Sequence, residues 1–99
     1  MRAYLIANIE ITDPKQYADY IARIGEVTES FGGRYLVRGG TAHKMEGHWH
    51  PHRMIVVEFP DMATAQRFYE SPEYAPLLAL RHSASETDMV LVEGLAAHH

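Results

Sequence analysis

Residues 53–61 read Arg-Met-Ile-Val-Val-Glu-Phe-Pro-Asp, a nearly continuous apolar run that ends in a carboxylate, an aromatic residue and a proline. Apolar runs of this length, rich in β-branched residues, are typical of strands covered on both faces. Pro60 ends the run, and Asp61 can cap a following helix. The stretch therefore predicts a central strand from His52 or Arg53 to Phe59, with a helix directly after it.

The sequence before this strand predicts a strand, a helix and a second strand. Residues 3–11 alternate between apolar and mixed side chains, which favours a strand with one apolar face. Asp13-Pro14 then supplies an N-cap followed by proline at the first helical position. Apolar residues recur at three- and four-residue spacing up to Gly32-Gly33, where the helix should end. Residues 34–39 form the predicted second strand.

The sequence after the central strand predicts a second helical region and a last strand. Met62, Ala65 and Phe68 have helical spacing, and Ser71-Pro72 repeats the cap-and-proline pattern before a further helical turn through Tyr74 to Arg81. Residues 87–93 form the last strand. The order βαββαβ predicts one α+β domain over residues 1–99, a ferredoxin-like sandwich with a four-stranded antiparallel sheet and its helices on one face.

This architecture leaves one face of the sheet without helices. That face would expose an apolar patch of Tyr4, Ile6, Met54, Val56 and either Val90 or Leu91. Monomeric proteins rarely expose such a patch. We therefore expect a homodimer in which two sheets pack face to face as a dimeric α/β barrel.

Composition excludes several classes of protein. The net charge is -4 and the nine basic residues are scattered, so there is no basic stripe for nucleic acid. No apolar run approaches the length of a membrane span, and the N-terminus lacks a signal-peptide pattern, which favours a cytoplasmic location. The absence of cysteine excludes disulfides and thiolate metal sites. His98 and His99 are either native residues or the remainder of a tag.

Several motifs along the whole chain closely resemble a family of small bacterial proteins known as domain of unknown function 1330. They are Asp13-Pro14 with Tyr17 and Tyr20, residues 33–40, Glu46-Gly47 with Trp49, Pro51 and Arg53, residues 58–60, residues 69–74 with Arg81, and residues 92–94. The resemblance implies a ferredoxin-like fold and a face-to-face dimer, but no established activity. The wider fold group includes cofactor-free monooxygenases, haem-degrading enzymes and lactone isomerases, and fold does not fix function.

Aromatic and cationic residues cluster around the central strand and suggest a pocket for a small molecule. Guanidinium groups would bind a carboxylate or enolate, and aromatic rings would enclose an apolar body. The candidate substrate-binding residues are Arg34, Arg38, Trp49, Arg53, Tyr69, Tyr74 and Arg81. The alternative is that the tyrosines pack at element borders while the arginines pair with Glu46, Glu58 and Glu73.

Two residues are candidates for proton transfer. Glu58 ends an apolar strand, so it needs a partner or a raised pKa, and Arg38, Arg53 or a substrate could be that partner. His82 could act as a general acid or base, although a solvated histidine at a helix end is the commoner case. The chemistry would then be cofactor-free oxygenation or isomerisation of a small aromatic or carboxylate compound. The alternative is a non-catalytic ligand-binding or structural homodimer.

Three alternating histidines, His48, His50 and His52, would project to one side of an extended segment, with His43 as a possible fourth ligand. Pro51 interrupts regular extension, and an exposed histidine-rich loop is the commoner case. We therefore predict no metal site and no cofactor.

Overall fold

The computed structural model describes residues 1–96 and contains one four-stranded antiparallel sheet with three helices. The elements in chain order are β1 (Ala3–Ile11), α1 (Pro14–Ser30), β2 (Arg34–Arg38), β3 (Arg53–Phe59), α2 (Met62–Tyr69), α3 (Ala75–Ala84) and β4 (Ser85–Glu93). The strand order in the sheet is β2-β3-β1-β4. The predicted α+β ferredoxin-like fold is confirmed. His98 and His99 lie outside the described residues.

The caps predicted from sequence begin both α1 and α2. The Asp13 carboxylate accepts the Gln16 backbone N–H at 3.2 Å, and the Asp61 carboxylate accepts that of Thr64 at 2.7 Å. These bonds satisfy amide groups that a helix leaves unpaired in its first turn. Past the C-terminal end of α1, Gly32 takes a φ of 78°, which glycine adopts without strain.

The region after α2 is helical, as the sequence predicted. The Ser71 hydroxyl accepts the Tyr74 backbone N–H at 3.1 Å and fixes the turn that leads into the helix. A ten-residue helix, α3, follows this turn and buries Leu77, Arg81 and Ala84. β4 then begins at Ser85, two residues before the predicted start, because it pairs with β1 as far as Ile11.

Strand register assigns each side chain of the central strands to one of two faces. The face covered by helices carries Leu5, Ala7 and Ile9 of β1 with Ile55 and Val57 of β3, and these are buried. We call the opposite side the open face. It carries the predicted apolar patch, with Val90 opposite Ile6 in the register, whereas Leu91 lies opposite Leu5 on the helix side.

No helix of the described part of the chain covers the open face. Ile6 lies between Val56 and Val90 in the register, and Val90 is 57% exposed. Within residues 1–96, none of the helices is long and apolar enough to cross a bilayer.

Candidate functional site

A narrow cavity lies between α1 and the helix-facing side of the sheet. Its lining residues come from all four strands, from Tyr35 and Arg38 on β2 to Met89 on β4. The space open to the centres of water molecules is about 30 Å³, and the whole depression with its mouth measures about 470 Å³. The closed cavity therefore has room for about two water molecules.

The wall of the cavity is aromatic and apolar. Tyrosines contribute from three parts of the chain, namely Tyr17 and Tyr20 on α1, Tyr35 on β2, and Tyr74 between α2 and α3. Among residues 1–96, no aspartate, glutamate or histidine lines the cavity, and Arg38 and Arg53 are its only charged side chains. Such a wall suits a planar apolar body with a negatively charged group.

Arg53 sits at the start of β3 beside the cavity. Its guanidinium carbon lies 6.0 Å from the centre of the Tyr17 ring, and its buried Nε has no hydrogen-bond partner among residues 1–96. Gly39 makes room for this side chain, because a Cβ there would stand 2.7 Å from the guanidinium carbon. An unpaired buried donor on a charged group is costly unless a ligand or water binds it.

Arg38 reaches the cavity because β2 contains a bulge. Arg34 pairs with Glu58 on the open face, and regular alternation would place Arg38, four residues later, on that same face. The register shifts between Tyr35 and Val37, so that Arg38 pairs with Ile55 and turns to the helix side. There its guanidinium carbon lies 4.3 Å from the centre of the Tyr35 ring.

The α1 tyrosines are protonated at neutral pH, and burial strengthens this preference by raising the pKa of each phenol. Burial raises the pKa of Tyr20, and it raises that of Tyr17 even though nearby Arg53 opposes the shift. Both phenols therefore remain hydrogen-bond donors at neutral pH rather than becoming bases.

Arg81 lies behind the cavity wall and is only 2% exposed. Its Nη2 donates to the Tyr74 hydroxyl oxygen at 3.2 Å, while its Nε has no partner among residues 1–96. The sequence pattern associated Arg81 with Tyr74, and the structure brings the two together. Of these two residues, Tyr74 lines the cavity and Arg81 does not.

Glu58 and Arg34 lie on the open face, away from the cavity. Glu58 accepts from Arg2 and Arg34 at 2.9 Å each and from the Tyr4 hydroxyl at 3.1 Å. The expectation that Arg38 or Arg53 pairs with Glu58 is wrong. Val57 faces the helices, so Glu58, the next residue of the strand, faces the open side. Arg38 and Arg53 lie on the helix side, where they line the cavity. Desolvation opposes ionisation, but the Tyr4 hydrogen bond and the two guanidiniums lower the pKa of Glu58 overall.

The remaining candidates do not line the cavity. Trp49 is 59% exposed in the loop of residues 39–52, and His82 is exposed on α3. Tyr69 is half-buried outside the cavity, with its ring centre 5.5 Å from that of Tyr74. Within residues 1–96, no three His, Asp or Glu side chains lie close enough together to hold a metal ion.

No sequence pattern marks Tyr17, Tyr20 and Tyr35 as residues of the candidate site. Helical spacing identified the first two only as part of the buried side of α1, and nothing in that spacing separates a cavity wall from a filled core. Gly39, which accommodates Arg53, ends the predicted second strand, and its sequence context does not point to a cavity.

Comparison with known proteins identifies a family and the fold. The profile of the family described as "Domain of unknown function (DUF1330)" matches residues 2–95. A search of the curated proteins returns no significant match.

Three solved structures show the same fold. A protein of unknown function from Rhodopseudomonas palustris is 18% identical with a TM-score of 0.79, over 96% of this chain and 83% of that chain. A dimeric ferredoxin-like protein of unknown function from Jannaschia sp. CCS1 is 11% identical with a TM-score of 0.72, over 95% and 100% of the two chains. SnoaB, a cofactor-independent oxygenase from Streptomyces nogalater, is 11% identical with a TM-score of 0.64, over 98% and 96%.

The contact between Gly39 and Arg53 predicts that Gly39→Ala disturbs the cavity. Gly47→Ala is the matched control, because both glycines have positive φ (74° and 87°) but only Gly39 has a neighbour within 4 Å of the added Cβ. Both variants should lose about 1–2 kcal/mol from backbone strain. Gly39→Ala should also shift the Arg53 Nε–H signal in an NMR spectrum, and an unchanged signal would contradict the described packing.

The ion pairs of Glu58 predict a specific loss of stability in acid. Because its folded-state pKa is lowered, Glu58 stabilises the fold fully above the ordinary value of 4.5, and this contribution is lost as the pH falls through the lowered value. Urea unfolding between about pH 6 and about pH 3 should therefore show a weaker pH dependence in Glu58→Gln than in wild type. Exposed Glu26→Gln is the control, and an equal effect in both variants would contradict this assignment.

Proposed function

The chain belongs to the DUF1330 family, and we propose that it binds a small planar anion, an aromatic carboxylate or an enolate, in the cavity beneath α1. The observation that carries this proposal is that the arginines at the cavity lack carboxylate partners. Arg38 and Arg53 border a cavity without any carboxylate, and the buried Nε of Arg53 has no partner among residues 1–96.

The arginines fall into two groups that separate this proposal from a purely structural role. Arg2 and Arg34 both pair with the Glu58 carboxylate, as structural arginines would. Within residues 1–96, these are the only ion pairs that arginines form, so Arg38, Arg53 and Arg81 have no carboxylate partner. If the motif arginines served packing alone, we would expect those near the core to be paired as well.

A ligand larger than the closed cavity can enter by moving side chains at the mouth. Arg38 is exposed, and its hydrogen bond to the Ile21 carbonyl is long at 3.4 Å. A bond of this length is weak. A ligand anion could replace it with a shorter, charge-assisted bond.

We further propose that two chains pack through their open faces. Support comes from the apolar patch around Ile6, Val56 and Val90, and from the fold similarity to a protein described as dimeric. The cavity lies on the other side of the sheet from this patch. Each protomer of the dimer would therefore keep its own ligand site.

Cofactor-free oxygenation of the bound anion is a second candidate function. Guanidinium groups favour the ionised form of a bound acid, and an electron-rich anion is the form that would react with oxygen. The fold similarity to a cofactor-independent oxygenase agrees with this candidate. Glu58 and His82 do not line the cavity, so removal of a proton there would depend on water. Oxygen consumption in the presence of a bound ligand would distinguish this candidate from binding alone.

Binding is tested with a panel of aromatic acids, including benzoate and salicylate, by thermal shift and calorimetry. A ligand that binds the folded state raises the unfolding midpoint as its concentration exceeds the Kd. We expect a rise for wild type and a loss of affinity of roughly tenfold or more in Arg53→Ala.

Arg23→Ala is the matched control, because Arg23 is an exposed arginine on α1 that does not line the cavity. It should bind as wild type does. Equal loss in both variants, or no binding of any acid to wild type, would contradict the proposed function.

The proposed dimer predicts a mass of twice 11.2 kDa by light scattering. Val56→Glu places a charge at the centre of the open face and should give single chains, because a buried unpaired charge is costly. Ala79→Glu, on the exposed side of α3, should leave the mass unchanged. Wild type with the mass of one chain would contradict the dimer.

A further inference from the structure

We infer that the Tyr74 hydroxyl, held by Arg81, is a second anchor in the cavity, so that the ligand carries a hydrogen-bond acceptor opposite its anionic group. This inference rests on the proposed function and specifies the class of ligand. The supporting observations concern the position of Tyr74, the hydrogen bond that its hydroxyl oxygen accepts from Arg81 and the buried charge of Arg81.

Tyr74 and the two cavity arginines approach the ligand space from different sides. Arg38 and Arg53 come from β2 and β3, the two strands at one side of the sheet. Tyr74 comes from the segment between α2 and α3; α3 contacts β4 at the opposite edge, while α2 contacts β1, β3 and β4. Neighbouring strands are about 4.8 Å apart, so the lining residues on β2 and β4 come from strands roughly 14 Å apart.

The Tyr74 ring is held in a fixed position. The side chain is only 1% exposed, and its ring centre lies 4.6 Å from that of Phe68 and 5.5 Å from that of Tyr69. Its backbone N–H donates to the Ser71 hydroxyl. A group fixed in this way loses little conformational entropy when it binds a ligand.

The hydroxyl proton of Tyr74 is available to a ligand. The phenol oxygen accepts the Arg81 Nη2 hydrogen at 3.2 Å, and no acceptor for the phenol proton is found among residues 1–96. A tyrosine hydroxyl can accept and donate at the same time. A donor whose oxygen already accepts from a cation is also polarised toward giving a stronger hydrogen bond.

Arg81 brings an unbalanced positive charge to this end of the cavity. It is 2% exposed, and the only arginine ion pairs within residues 1–96 are those of Arg2 and Arg34 with Glu58. A buried cation without a counter-charge is costly. An oxygen with negative character next to the Tyr74 hydroxyl would offset that cost, so Arg81 acts on the ligand as a positioning residue through Tyr74.

The ligand class that fits both ends is an aromatic ring with a carboxylate at one end and a carbonyl or enolate oxygen at the other. The carboxylate would bind Arg38 and Arg53. The second oxygen would accept from Tyr74. A ring with an apolar group in that second position would leave the Tyr74 donor unsatisfied.

Two probes of similar shape test this inference, namely 4-acetylbenzoate, which has the second acceptor, and 4-isopropylbenzoate, which lacks it. Calorimetry should show that wild type prefers 4-acetylbenzoate by roughly tenfold. Tyr74→Phe removes only the hydroxyl and should bring the two affinities together, while retaining the binding of 4-isopropylbenzoate. Arg81→Met should reduce the preference in the same direction.

Tyr69→Phe is the matched control, because Tyr69 packs against the Tyr74 ring from outside the cavity. It should keep the preference of wild type. Equal binding of both probes by wild type would overturn the inference, and this comparison does not depend on any variant folding. A preference that persists in Tyr74→Phe would overturn it as well.

The outcomes separate this inference from the proposed function. If Arg53→Ala weakens both probes but wild type binds them equally, the anion site stands and the second anchor is wrong. If simple benzoate binds and neither longer probe does, the cavity does not extend to Tyr74 and the inference fails. If no aromatic acid binds, both proposals fail.

Discussion

The two-residue repeat of the central strand is the constraint on which the rest of this structure depends. Successive side chains of a strand point to opposite faces. β3 therefore directs Ile55 and Val57 toward the helices and Val56 and Glu58 toward the open face. The first set forms the floor of the cavity. The second set belongs to the apolar face through which two chains are proposed to pack.

The same constraint separates two kinds of arginine. On the open face, Arg2 and Arg34 share one carboxylate, which is a structural arrangement that needs no ligand. On the helix side, Arg38, Arg53 and Arg81 meet tyrosines instead of carboxylates. The bulge in β2 creates this difference for Arg34 and Arg38, since without it both side chains would lie on one face. A local irregularity of one strand thus gives the cavity half of its lining positive charge.

The sequence predicted the fold well because its signals are local. The Asp13 and Asp61 caps, the glycines after α1 and the apolar alternation of β1 each act within a few residues, and each has the predicted role in the structure. The site was harder to predict because it depends on distant pairing. Glu58 binds Arg2, 56 positions away, through a register that composition does not reveal. Trp49 belongs to the motif region but lies in an exposed loop.

The central claim is that ligand binds on the helix side of the sheet and not on the open face. Methyl and arginine side-chain NMR spectra recorded during a benzoate titration test it most directly, because β3 carries reporters on both sides. We expect shifts for Ile55, Val57 and the Nε–H of Arg53, while Val56 and Val90 stay unchanged. Shifts confined to Val56 and Val90, or no shifts at saturating benzoate, would contradict the account.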